Sequence, residues 1–140
     1  MSIPVLLSIR GRQNYAEQEA EEIELVTEGE LEQEGDGWKI TYEESDLTGL
    51  AGVTTNFLVQ PGVITLRRKG PLSSEMVFRE GVFHDSLYQM EFGTLMITVC
   101  ASKVVYDLSC RGGTIDLTYA IEIEQSAAGL IEYHLDIKAK

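Results

Sequence analysis

The sequence predicts an all-β chain, an antiparallel up-and-down meander closed into a barrel, on three observations. Apolar residues recur with a period of two almost throughout, the spacing of strands with one buried face. Short groups of Gly, Pro and Asp separate these runs at close intervals, as hairpin turns require. The runs number about eight or more, and so many one-faced strands are most economically closed on themselves, because closure removes the exposed edges of a sheet. A two-sheet sandwich is the alternative arrangement. With 140 residues the chain is expected to form a single domain spanning residues 1–140.

Residues 3–12 alternate Val5, Leu7 and Ile9 with Leu6, Ser8 and Arg10, a pattern that suits a strand covered on both faces in its first half. Residues 14–21 read as a polar connection, since the window 14–22 is too acidic and too poor in apolar residues to hold a helix against a core. In residues 22–34, Ile23, Leu25, Thr27, Gly29 and Leu31 share one face, and Glu24, Glu28, Glu30 and Glu32 share the other. That acid run is a solvated face first, and a docking surface for a basic partner second. Gly35-Asp36-Gly37 turns the chain, because Gly and Asp tolerate the positive φ of tight turns.

Residues 38–44 place Trp38, Ile40, Tyr42 and Glu44 in phase, which carries an acid onto the apolar face. The segment 45–53, SDLTGLAGV, breaks the alternation and reads as a loop over a barrel end, a plain connection or a lid. Strands 54–60 and 63–69 flank a Pro61-Gly62 turn, with Phe57, Val59, Ile64 and Leu66 as core residues; in that phase Arg68 points inward. After Gly70-Pro71, residues 74–79 put Met76 and Phe78 inside, and Glu80-Gly81 reverses the chain.

Residues 82–89 are ambiguous. Their faces are Phe83, Asp85 and Leu87 against His84, Ser86 and Tyr88; hydrophobicity favours the first set inside, and periodicity does not decide. Residues 93–102 alternate Leu95, Ile97 and Val99 with Met96, Thr98 and Cys100, and residues 104–108 extend that run. Arg111-Gly112-Gly113 is expected as a turn, followed by strand 114–124, a turn at 126–129, and a last strand carrying Ile131, Tyr133, Leu135 and Ile137.

The formal net charge of −12 would repel a phosphate backbone or an anionic bilayer, which excludes nucleic acid and such membranes as natural partners. No run of about 18 apolar residues would cross a membrane as a helix, and the apolar start lacks the basic residues and cleavage site of a secretory signal, so a cytoplasmic location is expected. In that compartment Cys100 and Cys110 are expected as reduced thiols.

Several short segments, in one order along nearly the whole chain, resemble a known family: SIRGRQ, ELVTEG, ITYEESDLTGLAGVTT, RKG, MVF followed by EG, HDSLY, FGTL and DLTYAIEIE. They are similar to the YwiB-like proteins of Firmicute bacteria, small cytosolic calycin-like barrels with no assigned biochemical function. The resemblance implies a lipocalin-like barrel and brings no substrate, cofactor or catalytic residue with it. Related proteins commonly have a Pro-containing turn where this chain reads Gln89-Met90-Glu91-Phe92-Gly93.

The functional question concentrates in residues 64–93 and the strands facing them. If the interior receives Tyr42, Glu44, Arg68, His84 and Tyr88, the Arg68 charge needs a partner, because an unpaired buried charge is costly. In one reading Arg68 pairs with Glu44, Tyr42 and Tyr88 complete the group, and the filled barrel is a structural or regulatory module that meets a protein partner or a second copy. In the other, Arg68 grips the carboxylate or phosphate of a small anionic amphiphile while Met76, Phe78 and Trp38 hold its apolar part. A third reading makes His84 a general base paired with Glu44, but no nucleophile motif supports an enzyme. His84 and His134 are isolated from other ligand-type residues at metal-binding spacing, so neither a metal nor a cofactor is expected.

Overall fold

The alternation becomes ten antiparallel strands: β1 (Ser2–Asn14), β2 (Glu21–Glu34), β3 (Gly37–Glu43), β4 (Thr54–Gln60), β5 (Val63–Lys69), β6 (Ser74–Phe78), β7 (Phe83–Met90), β8 (Gly93–Ser109), β9 (Gly112–Ile123) and β10 (Ser126–Ala139). The computed structural model describes residues 2–14, 21–44, 51–90 and 92–140, apart from the side chain of Ala127. The connection expected after Asn14 and most of the loop expected at 45–53 therefore lie outside the described residues. Asn14 and Glu21 themselves belong to strands, so the first connection is shorter than the polarity of its ends suggests. Among the described residues no helix is long and apolar enough to cross a membrane.

The strands form one sheet in the order β6-β5-β4-β3-β2-β1-β10-β9-β8-β7, a meander curled almost into a barrel. The first and last strands close it: β1 and β10 pair continuously from Val5↔Ala139 to Asn14↔Leu130. The seam lies instead between β6 and β7, which are neighbours in sequence. There the strands share one backbone bridge, in which the Ser73 and Gln89 amides each donate to the other's carbonyl at 2.9 and 2.8 Å. At the turn joining them Val82 N–H bonds Arg79 O at 3.0 Å, and Gly81 N–H crosses to Ala101 O at 2.9 Å.

One face of every strand feeds the interior. Val5, Leu7, Ile40, Val59, Ile64, Leu66, Phe78, Ile115 and Leu135 are wholly buried there. Burial of each such side chain stabilises the fold by about 1.5–3 kcal/mol relative to exposure. A β-bulge between Ala101 and Lys103 shifts the phase of β8, so that Ile97, Val99 and Ala101 point inward before it and Val104, Tyr106 and Leu108 after it. Glu80 fixes this bulge by accepting the Val104 N–H at 2.9 Å.

Two turns differ from expectation. The β9–β10 turn is Glu124-Gln125, both at positive φ (51° and 68°), the backbone of a two-residue hairpin whose twist suits its strands. Residues 126–129 already belong to β10, and a register shift between Ala127 and Gly129 accommodates them. The β8–β9 turn falls at residues 110–111, and Gly112 and Gly113 pair with Ser109 and Leu108 inside the ladder.

The outer face of β2, β1, β10 and β9 carries alternating charges in register. Glu24 stands opposite Arg10, Arg10 opposite His134, and His134 opposite Asp116. His134 Nδ1 lies 2.6 Å from Asp116 and Nε2 3.2 Å from Asp136. Opposite charges in direct cross-strand pairs favour this register, so a few of the acids seen in the sequence, Glu24 and Asp116 among them, are matched across the sheet.

Candidate functional site

The cross-strand registers place one row of inward-facing residues across five strands. Gly29 of β2 is opposite Tyr42 of β3, Tyr42 opposite Thr55 of β4, Thr55 opposite Arg68 of β5, and Arg68 opposite Ser74. The next rows toward the far end are apolar, through Ile40, Phe57, Leu66 and Met76. The interior is thus divided into a packed apolar part and a polar end centred on Arg68. The residue retains partial solvent contact, but its Nε is buried and has no hydrogen-bond partner.

Arg68 and Glu44 do not form the ion pair that a filled, self-satisfied barrel requires. Among the described residues the ion pairs are Arg67–Glu75, His134 with Asp116 and Asp136, and Lys140–Glu28. The Glu44 carboxylate is buried and accepts a hydrogen bond from Thr55 Oγ1 at 2.9 Å, and Tyr42 engages it as well. Glu44 is near enough to act on Arg68 through space but is bonded elsewhere. Burial opposes the Arg68 charge; Tyr133, Tyr42, Glu44 and Tyr119 around it favour that charge and prevail, so its pKa lies above the ordinary arginine value. Burial, then the Glu44 charge, push the Tyr42 hydroxyl far above the usual range, while Arg68 pulls the other way. Tyr88 is raised by burial, again against Arg68.

Two of these tyrosines stand across from glycines, and Gly11 makes room for the Tyr133 ring. Tyr133 lies directly across from Gly11, where a Cβ would stand 3.2 Å from the ring. Tyr42 lies across from Gly29, where a Cβ would meet Thr41 O at 2.6 Å and the Leu7 side chain at 2.9 Å. A ring laid over a strand glycine covers backbone that has no side chain of its own.

β7 turns its less apolar face inward. His84, Ser86, Tyr88 and Met90 are partly buried, whereas Phe83 is 70% and Leu87 55% exposed. Hydrophobicity alone points to the opposite face. The neighbour across the seam is β6, which carries Ser74, and through it the polar row that ends at Arg68. His84 Nδ1 accepts the Val77 N–H at 3.4 Å, standing in for a ladder bond that the splayed strands cannot make.

Of the residues singled out in the sequence, Arg68, Tyr42, Glu44 and Tyr88 come together at the polar end. His84 ties the seam, and no hydrogen bond among the described residues joins it to Glu44. Met76 and Phe78 are buried in the apolar part, Phe78 with its ring centroid 4.5 Å from that of Tyr119, and Trp38 packs on the rim of the core. Thr55, Ser74, Tyr119 and Tyr133 are not among those site residues, although each is a polar residue in the apolar phase of its strand, the signal that marked Arg68; Ser86 carries no such signal, because it lies on the less apolar face of β7. Ser74 Oγ and Ser86 Oγ share the condition of Arg68 Nε, buried without a hydrogen-bond partner. Among the described residues no group of three or more His, Cys, Asp or Glu is placed to hold a metal ion.

No curated protein matches the chain. Its fold is similar to that of a solved structure, the crystal structure of the ywiB protein from Bacillus subtilis, with a TM-score of 0.84 at 21% sequence identity over 96% of this chain and 92% of that one. A family model described as "Domain of unknown function (DUF1934)" matches residues 7–137. The barrel and that match over nearly its full length place this chain in the DUF1934 family, with the fold of YwiB.

Proposed function

We propose that the polar end of the barrel binds the anionic head of a small amphiphile, a carboxylate or a phosphate, at Arg68. The observation that carries this reading is the guanidinium itself, which has a buried Nε without a partner and no ion pair among the described residues. A partly buried cation whose Nε is left in this state is costly, and an oxyanion able to take two parallel N–H bonds relieves the cost. Tyr42, Tyr88 and Tyr133 supply hydroxyls and ring surface around the head, Met76 and Phe78 form the apolar wall beneath it, and Glu44, held by Thr55, limits the site to ligands of low charge.

Titration with a fluorescent fatty acid tests the reading, together with native mass spectrometry of the freshly purified protein. Saturable binding that Arg68→Met abolishes is the expected result. Equal binding by the parent and the variant, or no binding and no copurifying molecule, would remove Arg68 as an anion site.

A second reading, a protein-contact module, has its own observation. Val82, Phe83, Leu87 and Phe92 are exposed apolar residues in one neighbourhood, on or beside β7, with Phe92 at 92%. Sedimentation over a range of concentrations tests the simplest form, a homodimer through this face: Phe83→Ser with Leu87→Ser should convert dimer to monomer, and a parent that stays monomeric throughout sinks that form.

A further inference from the structure

We infer that the splayed β6–β7 hairpin is the way in to Arg68, and that the bound anion then fastens it through the hydroxyls of Ser74 and Ser86. The inference rests on the anion-binding reading above and adds a route and two contact residues to it. Every other neighbouring pair in the sheet is joined by a ladder, from the five pairs of β5–β6 to the twelve of β1–β2. β6 and β7 are held at one end by their turn and at the other by the single Ser73–Gln89 bridge. Between these ends the one further hydrogen bond among the described residues runs from Val77 N–H to the His84 side chain.

That gap stands beside the site. Ser74, next to the bridging residue, is the direct cross-strand partner of Arg68. Continuing the antiparallel register of the Ser73–Gln89 bridge sets Tyr88 opposite Ser74 and Ser86 opposite Met76, so the two orphaned hydroxyls belong to facing strands on either side of the gap. A buried hydroxyl without a partner is expensive, and Ser74 Oγ, directly across from Arg68, with Ser86 Oγ one inward row further along the gap, are unpartnered donors on the two strands that an oxyanion at the guanidinium would lie between. With the anion in place, donors on β5, β6 and β7 are linked through it, and the strands can no longer part. Parting them requires breaking two backbone hydrogen bonds and one to His84, less than opening any ladder in the sheet.

A reversible lock tests this. Ser73 and Gln89 exchange both backbone bonds, a pairing with Cα atoms about 5.5 Å apart, within the span of a disulfide. The Ser73→Cys, Gln89→Cys double variant is made with Cys100→Ser and Cys110→Ser, and stopped-flow association of a fluorescent fatty acid is followed before and after reduction. The oxidised protein should associate about tenfold more slowly, and reduction should restore the rate. His84→Ala should associate faster than the parent, and Ser74→Ala with Ser86→Ala should release the probe about fivefold faster. Locked and reduced forms that bind at the same rate overturn the route while leaving Arg68 as the site. An unchanged release rate in the serine variant overturns the fastening. Failure of the reduced, unlocked protein to bind at all overturns the underlying reading and this inference with it.

Discussion

The barrel has two joins of opposite character. β1 and β10, the ends of the chain, meet along a continuous ladder whose inner face is Val5, Leu7, Ile9, Leu135 and Ile137, all buried. β6 and β7, adjacent in sequence, are hydrogen-bonded, among the described residues, through one backbone bridge and one imidazole. The distant ends are joined firmly because both strands are long and present alternating apolar faces in register. The near neighbours are joined weakly because β6 has only five residues and β7 offers His84, Ser86 and Tyr88 to the inside. Stability and polarity are therefore segregated: the strong join stands over the packed interior, and the weak one over the unsatisfied groups.

Substitutions at the two joins should separate these roles. Leu7→Ala at the strong join should cost about 2–5 kcal/mol in denaturant unfolding, as a cavity in a region that cannot collapse; a loss as small as that of a seam variant would erase the contrast. Thr55→Val, at the polar end, should cost about 1–3 kcal/mol by removing a donor from the buried Glu44 carboxylate. Arg68→Met should leave stability unchanged or raise it by about 1–4 kcal/mol, since it replaces an unpaired, partly buried charge with an apolar chain of similar length. A fall in the unfolding midpoint of Arg68→Met would show that the guanidinium is already satisfied within the fold.

At the seam, His84→Ala should cost about 1 kcal/mol and speed amide exchange at Val77 in particular. Unchanged protection there would mean that the imidazole does not hold the strand. The smallest effect is electrostatic and lies on the outer face. His134 has its pKa raised, chiefly by the hydrogen bond to Asp116; burial opposes this, and the Asp116 and Asp136 charges add to the rise. A raised folded-state pKa means that the protonated form is preferred in the folded protein. The contribution is fully present below the unfolded value of about 6.5 and is lost as pH rises through the folded value. For so exposed a group it amounts to less than ~1 kcal/mol, and His134→Gln should flatten that part of the pH–stability curve.

Much of this arrangement is legible in the residues. Strands 54–60 and 63–69 begin and end where their turn residues predict, and Arg68 is assigned inward by the phase of Ile64 and Leu66. The same rule, applied evenly, would have marked Thr55 beside Phe57, Ser74 beside Met76, and Tyr119 and Tyr133 in their own apolar rows. It fails for β7, where the face with Phe83 and Leu87 is the more apolar and nonetheless lies outside. It also misplaces the last turn, because Glu124-Gln125 carries no glycine to announce its positive φ.

By itself the sequence determined the all-β class, the antiparallel meander, the apolar face of most strands and the presence of an inward arginine, because each depends on a period of two and on turn residues local to a strand. Only the tertiary structure decided that the chain ends join and that β6 and β7 part, which way β7 faces, that Glu44 is held by Thr55, and that Arg68 Nε, Ser74 Oγ and Ser86 Oγ are left without partners. The physical reason is that hydrogen-bond satisfaction in a barrel is settled between strands, by register and curvature, and no single strand's alternation contains it.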